Sequence, residues 1–183
     1  MIIFNYENLE DVLMNKNLVI YFSRAGENIY DGSIKVIEKG NTEIIAEYIG
    51  ELVGADLFKV ERKDDYADDY NTCMKESKEE HSSNARPELK NYLDSIDQYD
   101  TVYIGSPIYW GTMPNPMFTQ LERLNWQGKN VKVFTTHEGN GLGKVLEDVK
   151  RICFGANVFD DAIAILGHEV NDARNQIEEW LNR

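Results

Sequence analysis

The sequence predicts an α/β fold, with a parallel sheet covered by helices on both faces. Three observations predict it. Short apolar runs rich in β-formers end in turn residues, as buried strands do. Between them lie segments whose apolar residues recur at helical spacing. The chain has 183 residues, 42% of them hydrophobic, enough for one core without disulfides or metal.

The elements follow in order. Leu18-Val19-Ile20-Tyr21-Phe22 reads as the first strand and stops at Ser23-Arg24-Ala25-Gly26. Glu27 to Lys39 reads as an irregular insertion, a lid or a partner contact. Gly40-Asn41-Thr42-Glu43 opens a helix that Asn41 or Thr42 can cap and Gly54 can end. Asp56 to Val60 is a second strand. Residues 61–88 are polar and acidic, with a helix over Met74 to His81. Pro87 to Tyr99 reads as a helix with Leu89, Leu93 and Ile96 on one face. Thr101 to Gly105 is a third strand, followed by helix through Leu124. Asn130 to Thr136 is a fourth strand, and a helix then ends near Cys153. Asn157 to Leu166 supplies the fifth strand, and Glu169 to Leu181 the closing helix. No internal repeat or domain linker is visible.

Charge and cysteine usage exclude several function classes. The net charge of −13 argues against non-specific nucleic-acid binding, which needs cations to replace phosphate counterions. It suits solubility, or the steering of basic partners. Cys73 and Cys153 are far apart and form no CxxC pattern, so they read as structural thiols. No apolar run approaches the ~20 residues that span a membrane. Met1 to Asn17 mixes Ile2, Ile3 and Phe4 with Glu7, Glu10 and Asp11, unlike a signal peptide. A cytoplasmic protein is the simplest expectation.

Parallel α/β sheets bind ligands beyond the carboxyl ends of their strands, and three unusual loops fall there. The first joins Ser23-Arg24-Ala25-Gly26 to Gly40-Asn41-Thr42. Free N–H groups at a helix start attract anions. Without the Gly-Lys-Ser/Thr ending of a nucleoside-triphosphate loop, this one suits a single phosphate, or is an ordinary capped helix. The second is Ser106-Pro107-Ile108-Tyr109-Trp110-Gly111, whose adjacent aromatics either wall a planar ligand or pack on the surface. The third is Thr135-Thr136-His137-Glu138-Gly139-Asn140-Gly141-Leu142-Gly143. Its glycines lack dinucleotide spacing and let backbone approach a flat ring edge. His137 is either a tuning group or a plain loop histidine.

Together these loops resemble the flavodoxin family over about residues 17–182, leaving Met1 to Lys16 as an N-terminal extension. The Ala85-Arg86-Pro87-Glu88-Leu89 stretch also resembles bacterial flavodoxin-like proteins. The resemblance implies a three-layer sandwich whose five-stranded parallel sheet runs in order 2-1-3-4-5. FMN would sit at the strand ends. Ser23, Ala25, Asn41 and Thr42 would hold its phosphate, with Arg24 and Gly26 in the same loop. Pro107, Ile108, Tyr109 and Trp110 would pack along the isoalloxazine, with Trp110 as the stacking partner. Gly111 lies where family members flip a peptide toward the flavin N5. Thr136, His137, Glu138 and Gly139 would line the pyrimidine edge, with Gly143 closing that loop. This sequence departs from the family by splitting the phosphate loop with Glu27 to Lys39. It also lacks the third-loop tyrosine that stacks on flavin in many flavodoxins.

The function so implied is an electron carrier shuttling low-potential electrons between redox partner proteins with basic docking surfaces. The chain would be a monomer or weak dimer. The alternative is an FMN-dependent NAD(P)H:quinone-type oxidoreductase. A receiver domain would need acidic residues where Ser23 and Ser106 stand. A Ser106-His137-Glu138 hydrolase would need a Gly-x-Ser-x-Gly elbow that the sequence lacks.

Overall fold

The computed structural model describes residues 16–183; the extension expected over Met1 to Lys16 falls outside them except for Lys16. β1 (Asn17–Tyr21), β4 (Asp56–Lys59), β5 (Thr101–Pro107), β6 (Asn130–His137), β7 (Asn157–Val158) and β8 (Ile163–Leu166) form one sheet. Its order is β4-β1-β5-β6-β7, with β8 also on β6, and every pairing is parallel. This is the expected order 2-1-3-4-5, with the fifth strand split in two. The split has a local cause. Val131 pairs with Val158 and Phe134 with Ile163, so Phe159 to Ala162 bulge opposite Lys132 and Val133.

Strand residues alternate between two cores. Leu18, Ile20, Val102, Ile104, Val131 and Val133 face one side, and Val19, Tyr21, Tyr103, Phe134 and Ile165 the other. The first core is covered by α2 (Tyr70–Ser83), α3 (Asn115–Leu121) and α4 (Val145–Ile152). The second is covered by α1 (Asn41–Val53) and α5 (Arg174–Leu181). A 3-10 turn, Gly167–Asp172, occupies the start of the expected closing helix.

Two sequence expectations fail, each for a physical reason. Glu27 to Lys39 is not irregular. β2 (Gly26–Tyr30) and β3 (Ser33–Ile37) pair as an antiparallel hairpin. Asp31 (φ 50°) and Gly32 (φ 72°) both take the left-handed conformation that a two-residue hairpin turn needs. Pro87 to Tyr99 contains no helix. Leu89 forms an antiparallel bridge with Arg62, and the Gln120 side chain binds both Leu93 N (3.0 Å) and Leu93 O (2.9 Å). Leu89, Ile96 and Tyr99 are buried as the apolar pattern requires, but the backbone is satisfied by other segments. Gly54 does end α1, at φ 62°.

Candidate functional site

The carboxyl ends of β1, β5 and β6 bring the three loops around a cavity of about 290 Å³. Its wall contains Ser23, Arg24, Asn41, Thr42, Pro107, Ile108, Tyr109, Thr136, His137 and Glu138. All ten stand among the residues expected from sequence. Ala25, Gly26, Trp110, Gly111, Gly139 and Gly143 lie off that wall. Asn28 and Ile29 of β2, Tyr70 and Met74 of α2, and Asn140 of the third loop complete it; sequence reasoning missed Ile29, Tyr70 and Met74. Tyr70 and Met74 stand one helical turn apart, a spacing that could have extended the expected helix back to Tyr70. The Asp31-Gly32 pair could have revealed the hairpin that carries Asn28 and Ile29.

At one end of the cavity the chain offers hydrogen-bond donors. Gly40, not Asn41 or Thr42, is the N-cap of α1, and it makes no side-chain cap. The capping oxygen comes from outside the helix: Ser23 Oγ accepts from Glu43 N at 3.0 Å. A Cβ on Gly40 would fall 2.2 Å from Ser23 Oγ and 2.8 Å from Arg24 N, so glycine permits this close approach. The first N–H groups of a helix have no partner within it, which leaves those of Asn41 and Thr42 for an outside acceptor. Thr42 Oγ1 meets Thr136 Oγ1 at 2.7 Å, tying this end to the third loop.

Arg24 and Glu27 join the hairpin to α2. Arg24 donates to the carbonyls of Ala67 (3.0 Å), Asp68 (3.1 Å) and Glu27. The Glu27 carboxylate accepts from Tyr70 N at 2.9 Å. Arg24 Nε is buried and has no partner among the described residues. The hairpin tip is fastened at the other side. Glu138 Oε2 accepts from Asp31 N (3.1 Å) and pairs with His168 Nδ1 (2.8 Å). Tyr30 donates its hydroxyl proton to His168 O at 3.2 Å. The bond to Glu138 raises the His168 pKa, whereas burial lowers that of His137. His137 Nδ1 accepts from Gly139 N (2.9 Å), which leaves Nε2 as the ring's N–H when it is neutral. Glu138 Oε1 is buried without a partner among the described residues.

The aromatic pair divides. Tyr109 is buried, edge-on to Phe22 with centroids 6.0 Å apart, and burial pushes its phenol pKa up. Trp110 does not stand in the cavity wall, contrary to its expected stacking role. Tyr109 and Thr112 bond each other both ways (2.7 and 3.1 Å), closing a tight turn. Trp110 (φ 53°) and Gly111 (φ 86°) occupy its tip in the left-handed region. That reversal sends Trp110 to a neighbouring hollow, where its indole N–H donates to Ser77 Oγ at 3.0 Å. The thiols Cys73 and Cys153 are buried and unpaired, and burial raises both pKa values, which makes them poor nucleophiles. No helix among the described residues is long and apolar enough to cross a membrane.

Fold and site define a doubly wound α/β protein with one cleft at the point where strand order reverses. A family model described as Flavodoxin matches residues 34–183. The chain belongs to the flavodoxin family. Its fold is shared with solved flavoproteins. A candidate flavoprotein from Bacteroides uniformis is 25% identical, with TM-score 0.72, over 92% of this chain and 99% of that one. Another from Bacteroides eggerthii is 28% identical, with TM-score 0.70, over 91% and 96%. A Lactobacillus acidophilus flavoprotein solved in complex with FMN is 22% identical, with TM-score 0.58, over 86% and 97%. No curated protein matches the sequence.

Proposed function

We propose that the cavity holds one FMN and that the protein carries electrons singly between partner proteins. The observation that carries this reading is the convergence of two unlike surfaces on one cavity. Ser23, Arg24, Asn41 and Thr42 supply donors, and Pro107, Ile108 and Tyr109 supply apolar and aromatic surface. The residues fit the cofactor. Asn41 and Thr42 leave N–H groups for a phosphate. Arg24 Nε and Glu138 Oε1 are a buried donor and a buried acceptor without partners among the described residues, and FMN carries acceptors and an imide N–H. The fold shared with the Lactobacillus acidophilus flavoprotein–FMN complex supports the same cofactor.

When bound, FMN supplies one-electron chemistry, and the protein orients and tunes it. Glu138 places a carboxylate in the wall, which penalises any further negative charge there. That favours a low potential. Tyr109 and Ile108 would shield the bound flavin from water. The acidic surface suits redox partners with basic docking faces.

Purified protein should be yellow and release FMN on denaturation. NAD(P)H alone should leave the flavin oxidised, and a partner reductase should reduce it. A colourless protein that binds no added FMN would refute the cofactor assignment. Rapid reduction by NAD(P)H alone would replace the carrier with a reductase.

A further inference from the structure

A second hollow, also of about 290 Å³, lies on the far side of the Tyr109–Thr112 turn. Three helices build it. The end of α2 and the segment after it bring His81, Asn84 and Arg86; α3 brings Asn115 and Phe118; α4 and its cap bring Lys144, Asp148 and Arg151. Trp110, Gly111 and Thr112 close it. We propose that this hollow binds a nucleotide-like ligand, a flat heteroaromatic ring that carries an anionic group.

Charge is the first argument. The whole chain is −13, yet this hollow gathers Arg86, Lys144, Arg151 and His81 against the single carboxylate of Asp148. Asp148 and Glu122 are already engaged. Asp148 accepts from Thr112 Oγ1 (2.6 Å) and Arg151 (2.9 Å). Glu122 accepts from Arg86 Nε and Nη2, at 2.7 Å each. Lys144 has no side-chain hydrogen bond or ion pair among the described residues, and Lys78 adds a second ammonium 5.5 Å from the Trp110 ring centroid. Among the described residues, neither ammonium has a carboxylate within ion-pair distance.

Aromatic surface is the second argument. Trp110 is 42% exposed, although a bulky residue at φ 53° is conformationally costly. The turn holds it there through the Ser77 bond. Arg86 lies over the Phe118 ring at 5.0 Å, and a guanidinium so placed offers a flat cationic surface. An aromatic wall beside unpaired cations suits a ring joined to an anion better than an anion alone.

The test uses the full chain, 15N-labelled, with AMP as the probe. The Trp110 indole N–H signal, assigned through Trp110→Phe, and the Lys144 amide should shift saturably. Adenosine and inorganic phosphate should each bind at least about tenfold more weakly than AMP. Lys144→Gln with Arg151→Gln, both exposed, should weaken AMP by about tenfold or more while leaving the spectrum folded. The proposal fails under any of four results. AMP produces no saturable shift up to about 10 mM. The shifts fall on Thr136 and Tyr109 instead. The double variant binds AMP unchanged. Phosphate alone binds as well as AMP.

Discussion

At the residue scale, a few positions are fixed by close approach. Gly105 pairs with Phe134 on the neighbouring strand, and a Cβ there would fall 2.0 Å from the Phe134 ring. Gly105→Ala should therefore destabilise the protein by roughly 1–3 kcal/mol, the usual cost of overpacking. A lowered urea midpoint at unchanged slope checks this. Ser23 has two tasks, capping α1 through Glu43 N and lining the cavity. Ser23→Ala should lower stability by about 1 kcal/mol and weaken FMN binding; fluorescence titration with FMN measures the second effect. Most cavity residues were legible because strand ends announce them, as at Ser23 and Pro107. Trp110 was not. Its side of the turn depends on the pairing of Tyr109 with Thr112 and on Ser77, which is 33 positions away.

At the element scale, the β2–β3 hairpin is the feature that distinguishes this site. It splits the first loop and contributes Asn28 and Ile29 to the cavity wall. Its turn rests on Gly32 at φ 72°, with nothing within 4 Å of a Cβ placed there. Gly32→Val should thus cost backbone strain alone, about 1–2 kcal/mol. Hydrogen exchange should quicken over residues 26–37 and little elsewhere. The tip is also latched by charge. Glu138 raises the His168 pKa in the folded chain above its unfolded value. Such a group stabilises fully below the unfolded pKa, and the contribution is lost as pH rises through the folded one. The difference in melting temperature between the protein and His168→Ala should accordingly be larger at about pH 5.5 than at about pH 8.5. Equal differences at both pH values would remove the latch. The apolar pattern of Leu89, Leu93 and Ile96 shows the opposite lesson. Periodicity correctly marked an apolar segment, but Gln120 captures the Leu93 backbone and Arg62 bridges Leu89, so no helix forms.

At the scale of the whole molecule, a charge of −13 acts on association. Electron transfer to a basic acceptor protein should slow several-fold as salt rises from about 10 to 200 mM, because exposed charges are screened beyond about 10 Å. Stopped-flow rates with a basic and a neutral acceptor test this, and equal salt dependence would rule out steering. Alternation of apolar strands with helices implies a parallel, doubly wound sheet, and the resemblance of the loop motifs to one family implies its strand order. By itself the sequence determined the layering and the three loops at the strand ends. These depend on neighbouring residues, through period and turn chemistry. Only the tertiary structure decided that Glu27 to Lys39 is a latched hairpin, that Ser23 caps α1 and that Trp110 leaves the cavity. Each of those rests on a partner distant along the chain, and local pattern carries no record of such a partner.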